Sequence, residues 1–158
     1  YPLSYNGWGD VLVIVFFGFV PVGGTYYVQA LTWTPDVTIA SLICGLLIDT
    51  LLVVNNYRDR EADARSGKRT VIVRFGEKFG RYFYLMLGVT ASLLCLCFLR
   101  EGHFLAALLP QLYLIPHFLT WKRMVKIYSG KKLNSILGET SRNMLFMGVL
   151  IAIGMLVS

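Results

Sequence analysis

The chain has 158 residues, of which 56% are hydrophobic and only 15% charged, with a formal net charge of +6. A mean hydropathy of +0.60 excludes an ordinary water-soluble domain of this size and makes lipid the expected solvent. The basic excess fits contact with anionic lipid, whereas nothing in the pattern resembles a nucleic-acid recognition fold, so no nucleic-acid partner is expected.

A bilayer core about 30 Å thick takes roughly 20 apolar residues per helical crossing. Runs of that kind lie at 11–30, 37–56, 81–99 and 104–121, with a shorter one at 143–157. The expected fold class is all-α, a multi-span transmembrane helix bundle. The chain opens Tyr1-Pro2-Leu3 without an initiator Met and closes inside an apolar run, which reads as a fragment of a longer protein. No basic segment with a small-residue cleavage site precedes the first run, so insertion by the spans themselves is expected. Cys44, Cys95 and Cys97 fall within apolar runs, where they are expected to pack as small hydrophobes rather than ligate metal or form disulfides.

The charges orient the spans. Between the second and third runs, Arg58, Arg60, Arg65, Lys68, Arg69, Arg74, Lys78 and Arg81 outnumber Asp59, Glu61, Asp63 and Glu77. Between the fourth and fifth, Lys122, Arg123, Lys126, Lys131, Lys132 and Arg142 face only Glu139. The connections at 32–36 and 100–103 carry no such excess. Basic loops stay in the cytoplasm, so both charged loops and residues 1–10 are expected there, with the C-terminus on the far side.

The segment from Asn55 to Arg69 carries the chemistry. It continues the second span without a breaker, so the helix is expected to run to about Ser66 and stop at Gly67. Asn55, Asp59 and Asp63, four residues apart, drift slowly round one helix face, with Asn56 close beside them. Carboxylates and an amide carbonyl one turn apart are hard oxygen ligands suited to Mg²⁺ shared with substrate phosphates. Gly67-Lys68-Arg69-Thr70 then offers two cations and, as an expectation, exposed backbone amides for phosphate oxygens. The alternative is a solvated helix end in which Asp59, Glu61 and Asp63 merely pair with Arg58, Arg60 and Arg65.

Location favours function, because Asp49 lies inside the preceding span. Ionisable groups there are costly and commonly line a cavity or pathway. On a helical wheel Asp49 falls about 20° to 40° from Asn56 and Asp63, so the three are expected to share a face. Its alternative is a buried Asp hydrogen-bonded to a neighbouring helix. His103 sits in a loop and His117 in a run containing Pro110 and Pro116. Neither has metal-binding partners, and Gln111 and His117 are expected to hydrogen-bond between helices.

Asn55-Asn56-Tyr57-Arg58-Asp59 with Asp63, then Gly67-Lys68-Arg69-Thr70, Val73 and Gly76, resembles the second Asp-rich motif of the UbiA superfamily of intramembrane prenyltransferases. Within it the match is to the naphthoate polyprenyltransferases of menaquinone biosynthesis. Gly9-Asp10 opening the Phe16-Phe17-Gly18 span, and Leu133-Asn134 to Thr140 with Asn143, look like further family elements, so the likeness covers essentially the whole chain. It implies that residues 1–158 are the C-terminal part of one transmembrane domain, helices five to nine of nine, in a bacterial cytoplasmic membrane. It implies that Asp59 and Asp63, with Asn55 or Asn56, hold Mg²⁺ on the diphosphate of a polyprenyl donor. Arg58, Lys68 and Arg69 become candidate substrate-binding residues, beside Asn55 and Asn56, and the catalytic wager is Asp59 and Asp63.

The implied reaction alkylates 1,4-dihydroxy-2-naphthoate with loss of CO₂. Two departures stand out. The family's first Asp-rich motif is nowhere in the sequence, so this chain alone would hold half a site and be inactive without the missing N-terminal helices. Ser4 also stands where some relatives carry a Lys. The alternatives are another aromatic prenyltransferase, such as one acting on 4-hydroxybenzoate, or part of an ion transporter with Asp49, Asp59 and Asp63 along its path.

Overall fold

A computed structural model describes residues 3–157, with only the backbone given for Leu3 and Ser4, so the expectation placed on the Ser4 side chain lies outside the described residues. A single turn, Leu3–Asn6, precedes five rods. These are α1 (Gly9–Ala30), α2 (Pro35–Arg65), α3 (Val71–Glu101), α4 (Phe104–Ile127) and α5 (Lys131–Val157), each long and apolar enough to cross a membrane. No strand occurs among the described residues, and the all-α multi-span bundle stands.

The helices overrun the apolar runs, and the physical reasons are local. Thr70 caps α3 early by accepting the Val73 amide on its hydroxyl at 3.2 Å, which adds a turn before the span. That turn is set off by Gly76, at φ 86° and ψ 171°, a left-handed backbone angle that only glycine adopts freely. Likewise α5 starts well before residue 143. The polar residues that interrupt its apolar run face partners instead of lipid. Asn143 Nδ2 donates to Thr120 Oγ1 at 2.9 Å, the Tyr84 and Thr140 hydroxyls lie 3.1 Å apart, and Arg123 pairs with Glu139 at 2.6 Å.

At the centre stands α2, gripped by α1 on one side and α3 on the other. Gly18 of α1 meets the Ser41 carbonyl and the Gly45 backbone of α2 so closely that a Cβ would collide with both. Backbone-to-backbone contact of this kind is how helices associate without a hydrophobic gradient to drive them. Ile14–Gly23 of α1 is wound as a π-helix and contains Pro21, a widening that periodicity does not announce.

Toward the charged end, Val53, Tyr57, Tyr84, Met124 and Ile136 form one buried cluster; toward the other, Ile43, Phe98, Ala106 and Met147 form a second. His117 lies between α3 and α4, stacked on Tyr84 and Tyr113. Its Nδ1 is 2.9 Å from the Tyr113 hydroxyl and its Nε2 is 3.2 Å from the Leu85 carbonyl. Gln111 Nε2 donates to the Ser92 carbonyl at 2.8 Å. Both residues therefore take the interhelical role expected of them, and all three cysteines are free thiols.

Candidate functional site

The charged end of α2 runs unbroken to Arg65, with Ser66 as its cap and Gly67 at φ 77° turning the chain out. Arg58 organises the exposed face. Its Nε and Nη2 donate to the two carboxylate oxygens of Asp59 at 2.8 and 2.6 Å, Nη2 also reaches Asn55 Oδ1 at 2.6 Å, and Nη1 reaches Asn134 Oδ1 of α5 at 2.9 Å. A planar guanidinium is suited to this forked geometry. One turn on, Lys68 Nζ donates to Asp63 Oδ2 at 3.1 Å and is close enough for its charge to act on Asp59 as well. Asn55, Asp59 and Asp63 thus lie along one edge of the helix, each answered by a cation.

Asn55 faces Arg58, while Asn56, 5% exposed, lies a third of a turn away and lines a small pocket with Asp10, Leu52, Lys68 and Thr70. One expectation needs correction, because amides after the helix are already used. Gly67 N donates to the Ala64 carbonyl at 3.2 Å, Lys68 N to Asp63 at 2.9 Å and Arg69 N to Tyr5 at 2.9 Å. The compact turn consumes these three amides. Arg69 is exposed.

The solvated-pair alternative also changes form. Arg60 turns away from the acidic residues of its own helix to Glu77 of α3 at 3.6 Å, and its guanidinium lies over the rings of Tyr57 and Tyr128 at 4.6 and 5.0 Å. Arg81 Nε donates to the Tyr57 hydroxyl at 2.9 Å and Arg81 also pairs with Glu77 at 3.3 Å. The Glu77 carboxylate, accepting the hydrogen bond of the Tyr128 phenol, pushes that phenol above its usual range. This cluster ties the end of α2 to α3 and to the α4–α5 connection. Neither it nor the Arg58–Asn134 bond was legible in the spacing of the charged segment.

Beneath Asn55 an apolar cleft opens. A cavity of about 530 Å³ is lined by Asn55, Leu52, Ile48, Phe17 and Leu137. It shares Ile48 and Ser141 with a second, of about 590 Å³, bounded by Leu47, Phe98 and Met144. That one shares Val22, Ala40 and Phe98 with a third reaching Asp36. From Asn55 to Asp36 the path follows α2 for about 28 Å at 1.5 Å per residue. A charged, oxygen-rich rim therefore sits over a long apolar groove.

The family comparison agrees with this layout. Residues 1–150 match the UbiA prenyltransferase family. The chain belongs to that family. A 1,4-dihydroxy-2-naphthoate octaprenyltransferase of Haemophilus influenzae is 34% identical over 160 residues, covering 99% of this chain and 51% of the relative. Its namesake from Escherichia coli is 42% identical over 95 residues, covering 60% and 30%. UbiA prenyltransferase domain-containing protein 1 of Dictyostelium discoideum is 30% identical over 156 residues, covering 99% and 46%. The chain thus spans about half the length of these relatives or less. No solved structure matches it. Membership of a transferase family sets aside the transporter alternative, and the apolar helices make this an integral membrane protein.

As a metal site the α2 rim is right in kind and short in number. Asp59, Asp63 and Asn55 present hard oxygens, the donor type of Mg²⁺, and positive charge already sits against each of them. Among the described residues, however, no group of three or more His, Cys, Asp or Glu stands together to hold a metal ion. A metal held here would need further ligands from substrate, from water or from another segment.

Proposed function

We propose that this chain is the C-terminal part of an enzyme that transfers a polyprenyl group from polyprenyl diphosphate to 1,4-dihydroxy-2-naphthoate, with decarboxylation to demethylmenaquinone. The observation that carries the reading is the charged α2 rim standing directly over an apolar groove, with Asn55 belonging to both. That is the shape of a diphosphate joined to a long hydrocarbon. The relatives named for naphthoate prenyl transfer support the acceptor.

In this reading Asp59 and Asp63, with Asn55, would hold Mg²⁺, which would supply positive charge to stabilise the diphosphate leaving group. Arg58 and Lys68, released from the carboxylates they now neutralise, turn to the diphosphate oxygens, and Arg69 approaches from the exposed turn. The groove walls hold the prenyl chain and keep water from the allylic cation formed when its C–O bond ionises. The acceptor ring closes the new C–C bond. The charged rim lies on the cytoplasmic side of a bacterial cytoplasmic membrane, and the facing ligands come from helices N-terminal to this chain. The 158 residues alone are therefore expected to be inactive.

The test uses the full-length protein in lipid with Asp59→Ala and Asp63→Ala combined, assayed for prenylated naphthoquinol. Transfer at the unmodified rate by that variant overturns the site. Competition between dihydroxynaphthoate and 4-hydroxybenzoate decides the acceptor.

A further inference from the structure

Deeper along α2, within about 40° of Asp63 at 3.6 residues per turn, lies a carboxyl group the proposed reaction has not used. Asp49 is 0% exposed and neither of its oxygens meets an N–H or O–H donor. The group it faces is the carboxyl of Asp10, at the start of α1 and 8% exposed. Ionised carboxylates only accept hydrogen bonds, so the two can bond each other only with a proton between them. Among the described residues neither forms an ion pair with a base. Two cations stand nearby: Lys68, across a pocket of about 60 Å³ that Asp10 lines together with Gly7, Asn56 and Thr70, and Arg74, whose guanidinium packs against Gly7. That volume has room for roughly one or two waters, and its walls are polar enough to hold them. Lys68 also belongs to the α2 rim, through Asp63.

We propose that Asp10, held by a proton shared with Asp49, exchanges a proton with the hydroxyl of the aromatic acceptor through water in this pocket. The inference rests on the prenyl-transfer reading. The C–O bond to diphosphate breaks, its electron pair leaving with diphosphate, and the ring carbon bearing the carboxylate bonds the allylic carbon. As it does so the acceptor's O–H bond breaks, and that proton passes by way of the water to the Asp10 carboxylate. The ring then expels its carboxylate as CO₂, and the electron pair left behind restores the aromatic ring as a phenolate. Asp10 returns the proton to that oxygen, so the pair ends as it began. Asp49 is a positioning residue, keeping Asp10 ready to receive a proton although neither carboxyl is held in an ion pair.

The experiment measures kcat for prenyl transfer against pH in the full-length enzyme in lipid vesicles, together with release of diphosphate from the donor when no acceptor is present. The unmodified enzyme is expected to lose transfer on the acid side, as Asp10 becomes fully protonated. Asp10→Asn is expected to lower transfer about a hundredfold more than it lowers acceptor-free diphosphate release, and Asp10→Glu to recover part of the loss. Asp49→Asn is expected to move the acid limb along the pH axis. An unmodified profile without an acid limb overturns the proposal, and so does an Asp49→Asn profile that superimposes on it. If Asp10→Asn fails to fold, those two profiles still decide. Absence of any prenyl transfer by the unmodified enzyme instead overturns the reading on which the proposal rests.

Discussion

Two depths along one helix handle negative charge in opposite ways. On the rim, the Asp59 side chain is 40% exposed and gripped by Arg58, and Asp63 is held by Lys68. Deeper along the helix, Asp49 is wholly buried and no cation answers it. Built-in cations keep a carboxylate charged and ready to exchange one positive partner for another. A buried carboxyl facing only its like is instead suited to hold a proton. The same residue type does two jobs because depth along the helix and the neighbours it meets there, and not helix phase, decide its surroundings.

The sharpest test of this division is removal of the rim carboxylates. Full-length enzyme with Asp59→Ala and Asp63→Ala is expected to lose about a hundredfold or more in kcat, the scale of losing electrostatic stabilisation of a leaving group. Stripping divalent cations with a chelator should give a loss of the same order that added Mg²⁺ reverses. A variant that keeps its metal dependence would break the contrast. Next in size is the contact that holds α1 against α2. Gly18→Leu drives a side chain into Ser41 and Gly45 and is expected to cost about 1 to 3 kcal/mol, read as a lower thermal midpoint in lipid.

Arg58→Ala is expected to raise KM for the diphosphate donor about tenfold, while kcat changes less. Such a single hydrogen-bonded charge contributes roughly 1.5 to 3 kcal/mol. Smallest is Ser41→Ala. The Ser41 hydroxyl is buried without a partner, so its removal is expected to change stability by less than about 1 kcal/mol in either direction. A large loss there would show that the α1–α2 contact depends on more than the two glycines.

Much of the architecture could be read from residue pattern, because apolar length alone reports a bilayer crossing. The stop at Gly67 and the interhelical roles of Gln111 and His117 were legible for the same local reasons. Helix α5 was not, since Glu139 and Asn143 look like the end of an apolar run until Arg123 and Thr120 are seen opposite them. At the rim, four-residue spacing put Asn55, Asp59 and Asp63 on one edge. It could not reveal that the neighbouring amides are spent within the turn and on Tyr5, nor that Arg58 reaches Asn134. Asp49 was visible as a misfit, but its partner Asp10 lies on a different helix, and only tertiary packing joins them.

The bond from the Arg69 amide to the Tyr5 carbonyl, 2.9 Å long, bears on how the chain is threaded. It fixes the segment before α1 and the turn after α2 in one compartment, whichever way the bundle is inserted. Because the bond is between backbones, Tyr5→Cys leaves it in place. A membrane-impermeant thiol reagent should therefore label Tyr5→Cys and Ser66→Cys from the same side of a sealed vesicle, so one accessible site maps the sidedness of both.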